Sequence, residues 1–275
     1  MSTHETPWPT GTPCWVELSS DDPAAANAFY SGLFGWDVQV AGPEFGGYGV
    51  ARVDGHRVAG IGGKMGDGDQ PTAWTTYLAS DDVDATAAAV AQHGGQVLAP
   101  PMDVGDLGRM IIGLDPAGAS FGVWQSGSNT GVGLVNQPGG VVWNEHTSND
   151  FAAAKSFYSA VFGLRVESME GAPADLEYAV LARSGGQMVG SLGKTGIGTS
   201  LDDPPNWLIY FGVADADATA AKAVELGGAV LEGPRESAYG QLAVVAGPEG
   251  EHFVVVQTAP EGYGHSDGPD AQSID

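Results

Sequence analysis

The chain states one pattern twice. Trp15-Val16-Glu17, Asp22, an Ala-rich run and Phe29-Tyr30-Ser31 with Leu33-Phe34-Gly35 return as Trp143-Asn144-Glu145, Asp150, another Ala-rich run and Phe157-Tyr158-Ser159 with Val161-Phe162-Gly163. The offset is constant through this unit: 143 − 15 = 128 and 157 − 29 = 128. An internal repeat constrains the fold more than any local propensity, because each copy must form the same supersecondary unit.

Each copy reads as a strand, a helix and three strands, followed by a second set of the same kind. In the first half, Cys14 to Ser19 alternates as a strand. Asp22-Pro23 supplies an N-cap and a proline for the first helical position, and Gly35 closes the helix. Strand-like runs follow at 36–40, 48–53 and 57–61, then a loop over 64–72. Trp74 to Ala79 opens the second set. A helix over 82–93 ends at Gly94-Gly95, with His93 in its last turn favouring the negative helix end. Strands follow at 96–99, 109–114 and 120–125. The second half repeats this: Trp207 answers Trp74, and Gly227-Gly228 answer Gly94-Gly95. The expected division is a flexible arm over 1–11, a domain over 12–126, a linker over 127–139, a domain over 140–258 and a flexible tail over 259–275.

Composition excludes several classes. With 34 acidic against 10 basic residues the net charge is −24, which disfavours nucleic acid and anionic membranes as partners and favours a solubilising or cation-attracting surface. No apolar run reaches the roughly 20 residues of a bilayer span, and the N-terminus lacks a secretory pattern; the expectation is a cytoplasmic protein. The single cysteine, Cys14, excludes an intramolecular disulfide and reads as a small buried hydrophobe. No Walker-type loop or dinucleotide fingerprint is present.

Four β-α-β-β-β modules with FY-S-x-x-F-G after the first strand, and G-G followed by D-P-x-G later, resemble the vicinal oxygen chelate superfamily: glyoxalases, extradiol dioxygenases and bleomycin-resistance proteins, in the two-domain actinobacterial form. The resemblance implies an α+β fold in which modules pair into two cup-shaped, glyoxalase-like domains. It also implies metal-ligand positions on the strands lining each cup. Counted from the matching motifs, these fall on Trp15, Thr75 and Gly122 in the first half, with a fourth expected within 57–64, and on Trp143, Leu208 and Val254 in the second, where Gln187 stands only at the margin of the fourth. Such residues lack the converging imidazole and carboxylate groups that zinc or iron require, so no metal or other cofactor is expected.

Alternation then lines cup one with Trp15, Glu17, Thr75, Tyr77 and Trp124, and cup two with Trp143, Glu145, Tyr210 and Val256; these are the candidate ligand-binding residues. Glu17 and Glu145 are candidate bases, and Tyr77 and Tyr210 candidate hydrogen-bond donors. His146 takes the place of Leu18 and faces the helices as a core histidine, and Asn144 shares that face without an evident reason. His56 and His252 lie at turns without partners at ligand spacing.

Two functions fit. One is a metal-independent protein that binds a planar aromatic small molecule, neutral or cationic, in antibiotic sequestration, self-resistance or aromatic natural-product biosynthesis. The other is a cofactor-free hydroxylase, lyase or isomerase acting on an aromatic polyketide, with a metal-dependent glyoxalase or dioxygenase as a more remote third. A monomer or weak homodimer suffices, since each half carries all the strands of its own cup.

Overall fold

The computed structural model describes residues 2–42, 46–64, 70–168, 177–194, 196–198, 200, 203–237 and 239–258. The tail expected over 259–275 lies outside these residues, as does most of the loop expected over 64–72.

In chain order the first half contains β1 (Ser2–Thr3), β2 (Pro13–Ser20), α1 (Pro23–Phe34), β3 (Asp37–Val40), β4 (Gly49–Val53), β5 (His56–Gly63), β6 (Ala73–Ala79), α2 (Val83–Gln92), β7 (Gln96–Val97), β8 (Met102–Val104), β9 (Gly108–Leu114) and β10 (Ser120–Ser126). The second contains β11 (Leu134–Val135), β12 (Val141–Thr147), α3 (Phe151–Phe162), β13 (Arg165–Ser168), β14 (Tyr178–Ala182), β15 (Met188–Gly193), β16 (Asn206–Val213), α4 (Ala216–Glu225), β17 (Ala229–Ser237), β18 (Gly240–Ala246) and β19 (His252–Gln257).

The helices start and stop where the sequence says they should. Asp22, Asp82, Asp150 and Asp215 each accept backbone N–H groups of the first turn. Gly35 and Gly163 end α1 and α3 at φ 71° and 66°, left-handed values that glycine adopts without a Cβ clash.

Each half forms its own curled sheet, in the order β3-β4-β5-β2-β6-β10-β9-β7 and β13-β14-β15-β12-β16-β19-β18-β17. Within each, the first strands of the two modules lie side by side and antiparallel: Trp15 opposes Tyr77, and Trp143 opposes Tyr210. The α+β architecture of four modules in two cups is therefore present. The residues expected as a loose arm include a strand: β1 pairs with β11, Trp8 Nε1 donates to the Val132 carbonyl at 3.1 Å, and Gly11 N–H donates to Ala79 O at 2.9 Å. Trp8 supplied that signal, since a ring of its size gains by leaving water.

The helices cover the convex faces and bind the halves together. One core joins α1, Val16, Leu18, Val58 and Ile61 to Ile209, Phe211, Phe253 and the alanines of α4. The other joins Leu78, Val83, Val90, Ile111 and Phe121 to Phe157, Tyr158, Phe162, Leu192 and Trp207. Each core thus takes one module from each half. The period-2 alternation is what makes this possible: Val16 and Leu18 point to the helices, while Trp15 points to the cup.

Several buried polar groups pair across the two halves. Tyr158 Oη accepts from Trp207 Nε1 at 2.9 Å and donates to Asp115 Oδ2 at 3.3 Å. Tyr30 Oη accepts from Trp74 Nε1 at 3.1 Å and donates to Glu251 Oε1 at 2.7 Å. Asn144 has its reason here: its Oδ1 accepts from Thr76 Oγ1 across the interface at 2.9 Å. His146 faces α3, as expected, and its Nε2 meets Asp115 Oδ2 at 2.7 Å with both side chains fully buried.

Candidate functional site

Both cups carry a tryptophan, a glutamate and a tyrosine at matching places on their paired first strands. Their surroundings differ. In cup one the structure gathers Trp15, Glu17, Tyr77 and Trp124, with Thr75 opposite Glu17, but these groups hold one another. Tyr77 Oη donates to Glu17 Oε1 at 3.1 Å, and Tyr48 Oη donates to Oε2 at 2.6 Å while accepting from Trp15 Nε1 at 3.1 Å. Trp124 Nε1 donates to the Asn129 carbonyl at 2.9 Å, closing over Gly108. Trp15, Tyr77 and Trp124 are all buried, with Cys14 and Val132 packed beside them. Burial pushes the Glu17 carboxyl up despite the two tyrosine bonds, and pushes the Cys14 thiol up as well, away from the reactive thiolate.

Tyr48 was missed by sequence reasoning. It reaches Glu17 because Gly60 and Gly62 face it: a Cβ at Gly60 would overlap the Tyr48 hydroxyl. The available signal was the repeat itself, Tyr48-Gly49-Val50 against Tyr178-Ala179-Val180, read together with the glycines of β5.

Cup two contains a cavity of about 380 Å³. Trp143, Glu145 and Tyr210 line it, as does Val256, together with Val142, Tyr178, Val180, Ile197 and Leu242. Met188 and Tyr239 line it too and are exposed, which puts them at its mouth. Beyond Gly196, Ile197 and Arg235 it adjoins a shallower depression that also borders Ser200, Asp203, Leu231 and Glu232. The walls from Tyr178, Met188, Ile197, Arg235 and Tyr239 were not read from the sequence: they come from outer strands and loops that only the curl of the sheet brings over the floor.

Two separate hydrogen bonds set the floor. Tyr210 Oη donates to Glu145 Oε2 at 2.6 Å. Trp143 Nε1 donates to Ser191 Oγ at 2.8 Å. Glu145 is 4% exposed, and burial raises its carboxyl to about 7, although the Tyr210 bond and the backbone of Ile197 pull the other way. Its second oxygen, Oε1, makes no well-aligned hydrogen bond among the described residues, although the Ile197 backbone lies close enough to act on the carboxyl. Gly196 packs against that oxygen so closely that a Cβ there would overlap it.

The positions that the resemblance assigned to metal ligands carry Trp15, Thr75 and Gly122 in cup one, and Trp143, Leu208 and Val254 in cup two. Gly60 or Ser191 faces the glutamate of each cup from the neighbouring strand. Among the described residues no three His, Cys, Asp or Glu side chains converge as a metal-binding group. The donor set does not fit a metal of the kind this architecture holds elsewhere.

Comparison with known proteins agrees with the architecture. The family model described as Glyoxalase/Bleomycin resistance protein/Dioxygenase superfamily matches residues 14–123 and again 141–255. The Mycobacterium tuberculosis protein named "Putative glyoxylase CFP32" is 41% identical over 257 residues, covering 91% of this chain and 96% of the relative. The anthracycline biosynthesis protein DnrV of Streptomyces peucetius is 38% identical over 271 residues, covering 92% and 95%. Among solved structures, the Mn(II)-bound glyoxalase from Novosphingobium aromaticivorans superposes with a TM-score of 0.60 at 17% identity, covering 92% of this chain and 90% of that one; it shares the fold. Two family domains in tandem, spanning two curled sheets of the same topology, place this chain in the Glyoxalase/Bleomycin resistance protein/Dioxygenase superfamily.

Proposed function

We propose that this protein binds a planar aromatic small molecule in cup two, without a metal, as a sequestering or accessory protein in aromatic natural-product metabolism. The observation that carries this reading is the cavity itself: about 380 Å³, walled by Trp143, Tyr178, Tyr210 and aliphatic side chains, with one buried carboxyl at its floor. Such a site suits a flat ring system held by stacking and oriented by one polar group. The name of DnrV as an anthracycline biosynthesis protein supports the ligand class.

In cup one Tyr48 and Tyr77 already hold both oxygens of Glu17, so one ligand per chain is expected. Native mass spectrometry with a panel of planar aromatic compounds, including hydroxyanthraquinones with and without an amino sugar, tests this. The expected result is a single adduct of unchanged mass, weakened at least tenfold by Trp143→Ala. Two adducts per chain, or a Trp143→Ala variant of full affinity, would remove the assignment to cup two.

A second reading has its own support in Glu145, whose carboxyl near 7, held in place by Tyr210 at 2.6 Å, has the features of a general base. In isomerisation such a base takes a proton from one carbon and returns it to another; in elimination it takes the proton as the substrate's own leaving group departs. A ligand whose mass or retention changes with time, and stops changing in Glu145→Gln, would establish this reading in place of simple binding.

A further inference from the structure

The two cups share their floor groups but not their occupancy. Glu17 has both oxygens hydrogen-bonded, one by Tyr77 and one by Tyr48. Glu145 has the equivalent of the first bond, from Tyr210, and lacks a side-chain donor for the second: Oε1 is buried and makes no well-aligned hydrogen bond among the described residues. A buried carboxylate oxygen without a donor costs free energy that a donor would recover.

The strand registers show where the difference arises. Glu17 stands opposite Gly60, and Glu145 stands opposite Ser191. At Gly60 the space is open and the Tyr48 hydroxyl enters it, taking the Trp15 N–H as acceptor. At Ser191 a side-chain hydroxyl already stands in that place and takes the Trp143 N–H instead. Tyr178, the repeat counterpart of Tyr48, lines the cavity wall. Cup one therefore carries a hydroxyaryl group of the chain's own making on its glutamate; cup two has the glutamate and the cavity.

We infer that cup two takes a hydroxyaryl ligand whose phenolic hydroxyl donates to Glu145, as Tyr48 donates to Glu17. This rests on the binding reading above and narrows it: the ring is recognised by its hydroxyl as well as by its flat faces.

The test uses the full-length protein and simple probes: 2-naphthol, 2-methoxynaphthalene and 1-naphthylmethylamine, titrated by calorimetry at pH 8. The expected result is 2-naphthol bound at least about tenfold tighter than the ether, which cannot donate, with the ratio falling severalfold in Glu145→Gln. Equal affinity for naphthol and ether overturns the hydroxyl inference and leaves the aromatic-binding reading standing; tighter binding of the amine overturns it in favour of a cation. Failure of all three probes to bind removes the binding reading itself. Tyr48→Ala provides an independent arm, since it empties cup one without touching cup two. Its 2-naphthol stoichiometry should rise from one to two, and a value remaining at one would contradict the role given to Tyr48. Thermal melts of both variants check that they fold.

Discussion

At the scale of single residues, the two glutamates show how position decides chemistry. They occupy matching points of a repeat, yet Glu17 is half-buried with both oxygens hydrogen-bonded by Tyr48 and Tyr77, whereas Glu145 is buried and borders a cavity. Burial raises Glu145 to about 7 from an ordinary 4.5, so the folded state holds a proton there that the unfolded chain has released. Stability therefore falls as pH rises from about 4.5 to about 7 and levels off above that, the total being on the order of 3 kcal/mol for this group. Glu145→Gln keeps the shape and an acceptor for Tyr210 but cannot ionise. Its melting temperature should match the native protein's near pH 4.5 and exceed it by several degrees at pH 8. Taking the difference between the two proteins cancels the other titrating groups. A difference that does not vary with pH would show that Glu145 titrates normally.

At the scale of elements, what the sequence made legible was set by how local the cause is. Capping aspartates, terminal glycines and the alternation along β2, β6, β12 and β16 are local, and they put Trp15, Glu17, Trp143, Glu145 and Tyr210 on the cup faces as read. The contribution of β4 and β5 is not local. Tyr48 lies just before β4 and crosses over β5 to reach Glu17, which depends on Gly60 and Gly62 leaving room. A lone tyrosine near a strand end carries no such message; only the contrast of Gly60 with Ser191 does, and that needs the strand register. The β1–β11 pairing was equally hidden, because two-residue strands have no periodicity to read. This dependence on β5 is testable. Gly60→Ser should copy the arrangement of cup two, expelling Tyr48 and leaving Trp15 bonded to the new hydroxyl, at a cost of about 1–3 kcal/mol from the displaced packing. Urea melts measure the cost, and increased solvent exposure of a tyrosine reports the expulsion. The same change at Gly118, a turn glycine with open space around it, meets no such contact, but φ of 101° would strain any side chain there, so it serves as a control for backbone strain without overlap.

At the scale of the whole molecule, the halves form separate sheets, apart from β1, which joins the second, and share their cores. Because each core draws on one module from each half, neither cup can be loosened without disturbing the packing behind the other. The polar locks across this interface are not symmetric. On one side Glu249 accepts from Ser20 Oγ at 2.8 Å and from the backbone N–H groups of Asp21 and Asp22 at 2.9 Å, tying the turn before β19 to the start of α1. On the other, Asp115 Oδ1 accepts three backbone N–H groups of its own turn at 2.9 Å and its Oδ2 meets His146. Burial alone would raise the Asp115 carboxyl, but these hydrogen bonds outweigh it and hold it below its usual value, so the anion persists in the interior. Leu18 shows the alternative in the other half of the repeat, a hydrocarbon in the place of His146. His146→Leu removes one partner of a buried pair and strands the other, which should cost about 3–5 kcal/mol, while His146→Leu with Asp115→Asn should recover part of that loss. Since the pair sits in a core shared by both halves, the single variant should lower one cooperative transition, with tryptophan fluorescence and far-ultraviolet circular dichroism giving the same midpoint. Two separated transitions, with only one displaced, would mean that the halves fold independently and that the shared cores do not couple the cups.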